Sequence, residues 1–127
     1  PKLMDVAVPT NKQLGMSLDQ QKQLNGLSVQ EIKKIINDKN YLLIDVREDS
    51  EIKRQGSIDG SIQVSYNKLP DYLHRKRKEL SNSKLVFYCA VGERSALAVQ
   101  LCQSYNFTNA NHLIGGINKW KEEEKIV

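Results

Sequence analysis

With 127 residues, 39% hydrophobic and 27% charged, the chain has the size and balance of one globular domain with a single core. A net charge of +4 is a mild bias toward small anions, too weak to argue for nucleic acid, and no apolar run approaches a membrane span. Two cysteines do not make a disulfide framework, and no basic-then-apolar leader opens the chain, so the expected location is cytoplasmic.

The chain starts on Pro1, which suggests a piece of something longer. Residues 1–26 mix Val6-Ala7-Val8 with Pro9, Asn11 and Gly15, then run through the glutamine-rich Asp19-Gln20-Gln21-Lys22-Gln23. This texture reads as a linker or docking arm with at most one helical turn, followed by a folded domain over 27–127. Ser28 and Glu31 form a capping-box signature, with Leu27 and Ile32 as its hydrophobic staple. Val29, Ile32, Ile35 and Ile36 continue as a helical stripe. Tyr41-Leu42-Leu43-Ile44 is a continuous apolar run, as expected of a strand covered on both faces. A short helix is predicted from Glu48 to Gln55, closed by Gly56, and a brief strand at Ile62-Gln63-Val64. Leu69 to Leu80 reads as one helix with Pro70 in its first turn. Then come a strand over Lys84–Tyr88, a helix over Ser95–Tyr105 and a strand at His112-Leu113-Ile114. A final helix follows Gly115-Gly116 and carries Ile117 and Trp120 on one face. Such alternation predicts an α/β fold: a central parallel sheet flanked by helices on both faces, with ligands beyond the carboxyl ends of the strands.

Cys89 stands at one of those ends, and Asp45-Val46-Arg47 at another. The loop from Cys89 to Ser95 closes between a strand end and a helix start, where backbone N–H groups turn inward and favour an anion. A helix amino end and Arg94 both stabilise thiolate over thiol, so Cys89 is the candidate nucleophile.

The order Leu43-Ile44-Asp45-Val46-Arg47-Glu48, Gly56 to Ile62, Tyr88-Cys89 through Arg94-Ser95, and Gly115 to Trp120 resembles the rhodanese sulfurtransferases over residues 27–127. The resemblance implies that Cys89 forms a persulfide and passes sulfur from thiosulfate or glutathione persulfide to cyanide, glutathione or sulfite. No cofactor and no metal are expected. Ala90, Val91, Gly92, Glu93, Arg94 and Ser95 would bind substrate, the backbone from Ala90 to Arg94 cradling the sulfur, with Asp45 and Arg47 as the supporting framework. Two departures stand out. Ser57-Ile58-Asp59-Gly60 replaces the usual His-Ile-Pro-Gly, a structural turn. The loop has one basic residue, Arg94, and the acidic Glu93 opposes a thiosulfate dianion, which favours a thiol persulfide donor.

Pro1 to Asn11 is similar to the C-terminal tail of the persulfide dioxygenases, iron enzymes of the metallo-β-lactamase fold. This implies an upstream dioxygenase domain as partner, its iron ligands outside this chain. Two alternatives remain open: a sulfur-binding docking module for that enzyme, and a cysteine phosphatase or arsenate reductase. The latter resemble Cys-x5-Arg loops usually preceded by histidine, whereas this loop is Cys-x4-Arg preceded by Tyr88.

Other features have plainer readings. Arg94 could pair with a carboxylate, and Asp45 with Arg47 reads as a structural ion pair. Cys102, two turns into its helix, reads as core. His74 and His112 have no ligand-spaced partners, so metal binding is not expected, and the lack of a histidine near Cys89 in the sequence does not count against thiol exchange, which demands no general base. His74-Arg75-Lys76-Arg77-Lys78 reads as a solvated helix face, and Ile117 with Trp120 as packing.

Overall fold

The computed structural model describes residues 15–125, so the likeness drawn on residues 1–11 lies outside the described residues. Five strands form one parallel sheet in the order β1-β5-β4-β2-β3: β1 (Gly26–Leu27), β2 (Tyr41–Asp45), β3 (Ile62–Gln63), β4 (Lys84–Tyr88) and β5 (Ala110–Leu113). The helices are α1 (Leu18–Gln23), α2 (Val29–Ile35), α3 (Asp49–Gln55), α4 (Leu69–Arg75), α5 (Arg77–Leu80), α6 (Glu93–Ser104) and α7 (Gly116–Lys125). This is the expected α/β architecture.

Strand β4 shows why both faces are covered. Leu85, Phe87 and Cys89 point into one core cluster, while Val86 and Tyr88 point into the other, the period-two alternation of a strand. The first cluster is completed by Leu69 and Leu73 of α4, Leu80 of α5, and Ala98, Val99 and Cys102 of α6. The second is completed by Val29 and Ile32 of α2 and by Ile117 and Trp120 of α7. A central strand buried on both sides fixes the position of the cysteine that ends it. Cys102 lies in the first cluster, and burial pushes its thiol up to about 12.

Three local features carry the rest. The Ser28–Glu31 capping box is present in both directions. The stretch predicted as one helix over 69–80 is instead two, α4 and α5, separated at Lys76, with a 3-10 turn (Tyr66–Lys68) leading into the first. Beyond that break, Arg77 donates to the Tyr105 carbonyl at 2.7 Å and lies over the Phe107 ring. The basic run lies on the surface as expected, with Arg75 paired to Asp71 and Lys76 to Glu79 on the solvated side of α4 and α5. Finally, part of the stretch read as an arm is folded onto the domain. Ser17 and Gln20 make a reciprocal capping box that starts α1, and β1 pairs with β5 at the sheet edge.

Candidate active site

The site is built on the turn between β4 and α6. Cys89 leaves β4 fully buried, and the chain must reverse within three residues to start α6 at Glu93. Gly92 makes that reversal with φ +96° and ψ 0°, a left-handed conformation that side chains other than glycine rarely adopt. The turn points two backbone N–H groups at the sulfur: Gly92 N at 3.1 Å and Ser95 N at 3.4 Å from Cys89 Sγ. The twelve-residue α6 adds the positive end of its dipole at the same place. Negative charge on Sγ is therefore met by donors already in position.

Segments distant in sequence hold this loop from behind. At the start of α7, Ile117 N donates to the Cys89 carbonyl at 2.8 Å and Asn118 N to the Ala90 carbonyl at 3.1 Å. Gly116 permits that approach, because a β-carbon there would overlap both of those carbonyl oxygens. From α1, the Gln21 side chain donates from Nε2 to the Val91 carbonyl at 3.1 Å and accepts from Gly115 N at 2.9 Å. Met16 N donates to Glu93 Oε2 at 2.7 Å. Residues 16–21 thus form the floor behind the cysteine loop.

The charged residues group into two buried pairs. Arg47 donates from Nε to Asp45 Oδ1 at 3.0 Å and from Nη2 to Asp45 Oδ2 at 2.8 Å, and also to the Gly56 carbonyl at 2.7 Å. Burial alone would lower the Arg47 pKa, but the Asp45 carboxylate outweighs it and the pKa lies above its ordinary value. Asp45 and Arg47 thereby join the end of β2 to the end of α3 as a structural pair. Tyr88 braces the same corner from β4. Its hydroxyl accepts from Ile58 N at 3.0 Å and bonds Ser61 Oγ at 2.9 Å, so Tyr88 holds the turn Ser57-Ile58-Asp59-Gly60.

Arg94 does not stand open in the loop. Its Nη1 and Nη2 donate to Glu51 Oε1 and Oε2 at 2.8 and 2.9 Å, a two-pronged pair with both side chains buried. Burial pulls the Glu51 pKa up, but the Arg94 bonds, the Glu48 N–H and the Arg94 charge more than offset it and hold the carboxyl below its ordinary value. Burial likewise opposes the Arg94 charge, and Glu51, with a further push from Cys89, raises its pKa nonetheless.

A histidine stands closer to the cysteine than the sequence led us to expect. Ser95 Oγ lies 3.6 Å from Cys89 Sγ on one side and 2.9 Å from His112 Nδ1 on the other. His112 is fully buried on β5, and its Nε2 lies 2.8 Å from the Gln21 carbonyl oxygen. Burial lowers the His112 pKa, partly offset by that carbonyl. Sequence spacing carried no signal for this contact or for Glu51, because both arise from the order of strands and helices in space. Among the described residues, no cluster of three or more His, Cys, Asp and Glu is arranged to hold a metal ion. No described helix is long and apolar enough to cross a membrane.

The chain is 33% identical over 105 residues to mouse thiosulfate sulfurtransferase/rhodanese-like domain-containing protein 3, covering 75% of this chain and 67% of that protein. It is 31% identical over 109 residues to the thiosulfate:glutathione sulfurtransferase of Saccharomyces cerevisiae, covering 76% and 78%. The human single-domain sulfurtransferase TSTD1 superposes with a TM-score of 0.68 at 26% identity, over 77% of this chain and 96% of that one. Residues 28–123, which span β2 to β5, the cysteine loop and its buried ion pairs, match the rhodanese-like domain, and the chain belongs to that family.

Proposed function

We propose that the domain is a sulfurtransferase that carries a sulfane sulfur as a persulfide on Cys89. The observation that carries this reading is the pair of backbone N–H groups, from Gly92 and Ser95, aimed at Cys89 Sγ. In the first half-reaction the Cys89 thiolate attacks the sulfane sulfur of the donor. A new S–S bond forms at Cys89, the donor's S–S bond breaks, and sulfite or glutathione leaves with the electron pair. In the second, glutathione, sulfite or cyanide attacks the outer sulfur and Cys89 departs as thiolate. The relatives named thiosulfate:glutathione sulfurtransferase in yeast and human support this substrate class.

The charge of the loop favours a sulfane sulfur carried on a thiol over the thiosulfate dianion. Arg94, the loop's one basic residue, is neutralised by Glu51, and Glu93 adds a carboxylate beside it. The same pairing weighs against phosphatase chemistry, which needs the arginine fork for phosphate oxygens. The test is steady-state sulfur transfer from glutathione persulfide or thiosulfate to cyanide or sulfite. Many turnovers per Cys89, abolished in Cys89→Ser, support an enzyme. A single loading without turnover supports instead a module that presents sulfur to an upstream dioxygenase.

A further inference from the structure

Hydrogen bonds run without a gap from the nucleophile to α1: Cys89 Sγ, Ser95 Oγ, His112 Nδ1, His112 Nε2, Gln21 carbonyl. Their directions follow from the inventory of donors. The Gln21 carbonyl can only accept, so His112 carries its proton on Nε2 and leaves Nδ1 as an acceptor. Ser95 must then donate its hydroxyl proton to Nδ1, which leaves Ser95 Oγ free to accept from the Cys89 thiol. Each donor in the chain has one acceptor, and the whole line is buried, with Cys89, Ser95 and His112 all 0% exposed. A buried thiol that must become a nucleophile needs somewhere to send its proton.

We propose that His112 is a positioning residue that takes up the Cys89 proton through Ser95, setting the thiolate free inside the loop. The Sγ–H bond breaks as that proton passes to Ser95 Oγ, while the Ser95 hydroxyl proton passes to His112 Nδ1. The products are a Cys89 thiolate and an imidazolium, and no other reactant is consumed. Every hydrogen bond survives, the two nearest the sulfur with their direction reversed: His112 Nδ1–H now donates to Ser95 Oγ, and the Ser95 hydroxyl donates to Sγ, while Nε2–H still donates to the Gln21 carbonyl. The thiolate gains a third donor beside Gly92 N and Ser95 N. No heavy atom has to move. In the opposite sense, the relay returns the proton when Cys89 is released by the acceptor.

The surroundings leave this role to His112. Its register partners in the sheet, Phe87 of β4 and Gly26 of β1, carry no charge, and Gln21 of α1 and Ser95 of α6 are polar but neutral. The charges that flank Ser95 in sequence are engaged, Glu93 with Met16 N and Arg94 with Glu51. The next titratable group along the line of hydrogen bonds is therefore Cys89 itself. Burial keeps His112 neutral at rest, so it is available as an acceptor and becomes charged only with a thiolate to balance it.

The inference rests on Cys89 as the nucleophile, and two readouts on the full chain separate its failure from failure of the sulfurtransferase reading. The first is the rate of Cys89 alkylation by iodoacetamide, a neutral reagent, followed by peptide mass across about pH 5 to 10, where imidazoles and thiols titrate. The second is Cys89 persulfide formation from glutathione persulfide at neutral pH. His112→Gln keeps an acceptor for Ser95 but cannot take a proton. It is expected to move the alkylation profile about one pH unit higher and to slow persulfide formation roughly tenfold. Ser95→Ala, which leaves His112 in place, should give the same displacement even if His112→Gln folds poorly. The double variant should be no worse than either single one, as for residues acting in one line. Profiles that stay at the wild-type position in both variants, whatever their thermal stability, would overturn the relay. Absence of any Cys89 persulfide in the wild type would count against the sulfurtransferase, while the alkylation profiles still decide the relay.

Discussion

Arg94 and Glu51 meet in a buried, two-pronged ion pair, with Nη1–Oε1 at 2.8 Å and Nη2–Oε2 at 2.9 Å, that ties the first turn of α6 to α3. The pair sets a guanidinium within electrostatic reach of the nucleophile and cancels most of its charge at the same time. Removing one partner of such a pair leaves the other buried and uncompensated, which costs about 3–5 kcal/mol. Glu51→Gln is therefore expected to lose stability on that scale in urea denaturation. Where it remains folded, it should also transfer sulfur from thiosulfate better relative to glutathione persulfide, because the Arg94 charge is unmasked. An unchanged donor ratio would show that the Arg94 charge does not reach the bound donor.

Acid should weaken the fold in two stages. The folded pKa of His112 lies below its unfolded value of about 6.5, so as pH falls the unfolded chain binds that proton first. Its contribution is full above that value and declines below it, by no more than about 1.4 kcal/mol per pH unit. The folded pKa of Glu51 is also depressed, so its contribution is present above its ordinary 4.5 and is lost as pH falls through the lower folded value. Denaturation midpoints measured against pH should show both stages in the wild type and only the lower one in His112→Gln.

Gly116→Ala tests how closely α7 must approach the loop. A β-carbon there meets the Cys89 and Ala90 carbonyl oxygens, and φ is +63°. The expected result is a loss of at least about 1–3 kcal/mol together with slower persulfide formation, since the Ile117 and Asn118 N–H bonds that hold the loop must lengthen. Wild-type stability and rate would show that the loop carries slack at this point.

Gln21→Ala removes the side chain that bonds both the Val91 carbonyl and Gly115 N, leaving one polar group of the loop and one at the entry to α7 without that partner. Each such loss costs about 1–3 kcal/mol when the group stays buried. The variant should lower the thermal midpoint and raise proteolytic or hydrogen-exchange opening at residues 90–92. The effect would establish that the segment before β1 serves the site, rather than acting only as a spacer. Protection equal to wild type would limit it to the spacer role.

What could be read from the sequence was local. The apolar run into Cys89, the glycine three residues on and the alanine-rich helix behind it are contiguous, and their periodicities place the nucleophile at a strand end. The Ser28–Glu31 capping box is equally local. The break at Lys76 was not visible, because the pattern over 69–80 continues through it and the contacts of Arg77 lie 28 residues away. The partners that complete the site are more distant still. Ser95 and His112 are 17 residues apart, Glu51 and Arg94 are 43 apart, and Gln21 and Val91 are 70 apart. Spacing carries no information about such pairs. They follow from strand order, which sets β5 beside β4 and α1 under the loop.

The most direct test of the central claim is the mass of the intact protein after incubation with glutathione persulfide and, separately, with thiosulfate. The account predicts the gain of one sulfur atom on Cys89, larger with glutathione persulfide, removed by cyanide or glutathione and absent in Cys89→Ser. No gain from either donor, or a gain that persists in Cys89→Ser, would contradict it.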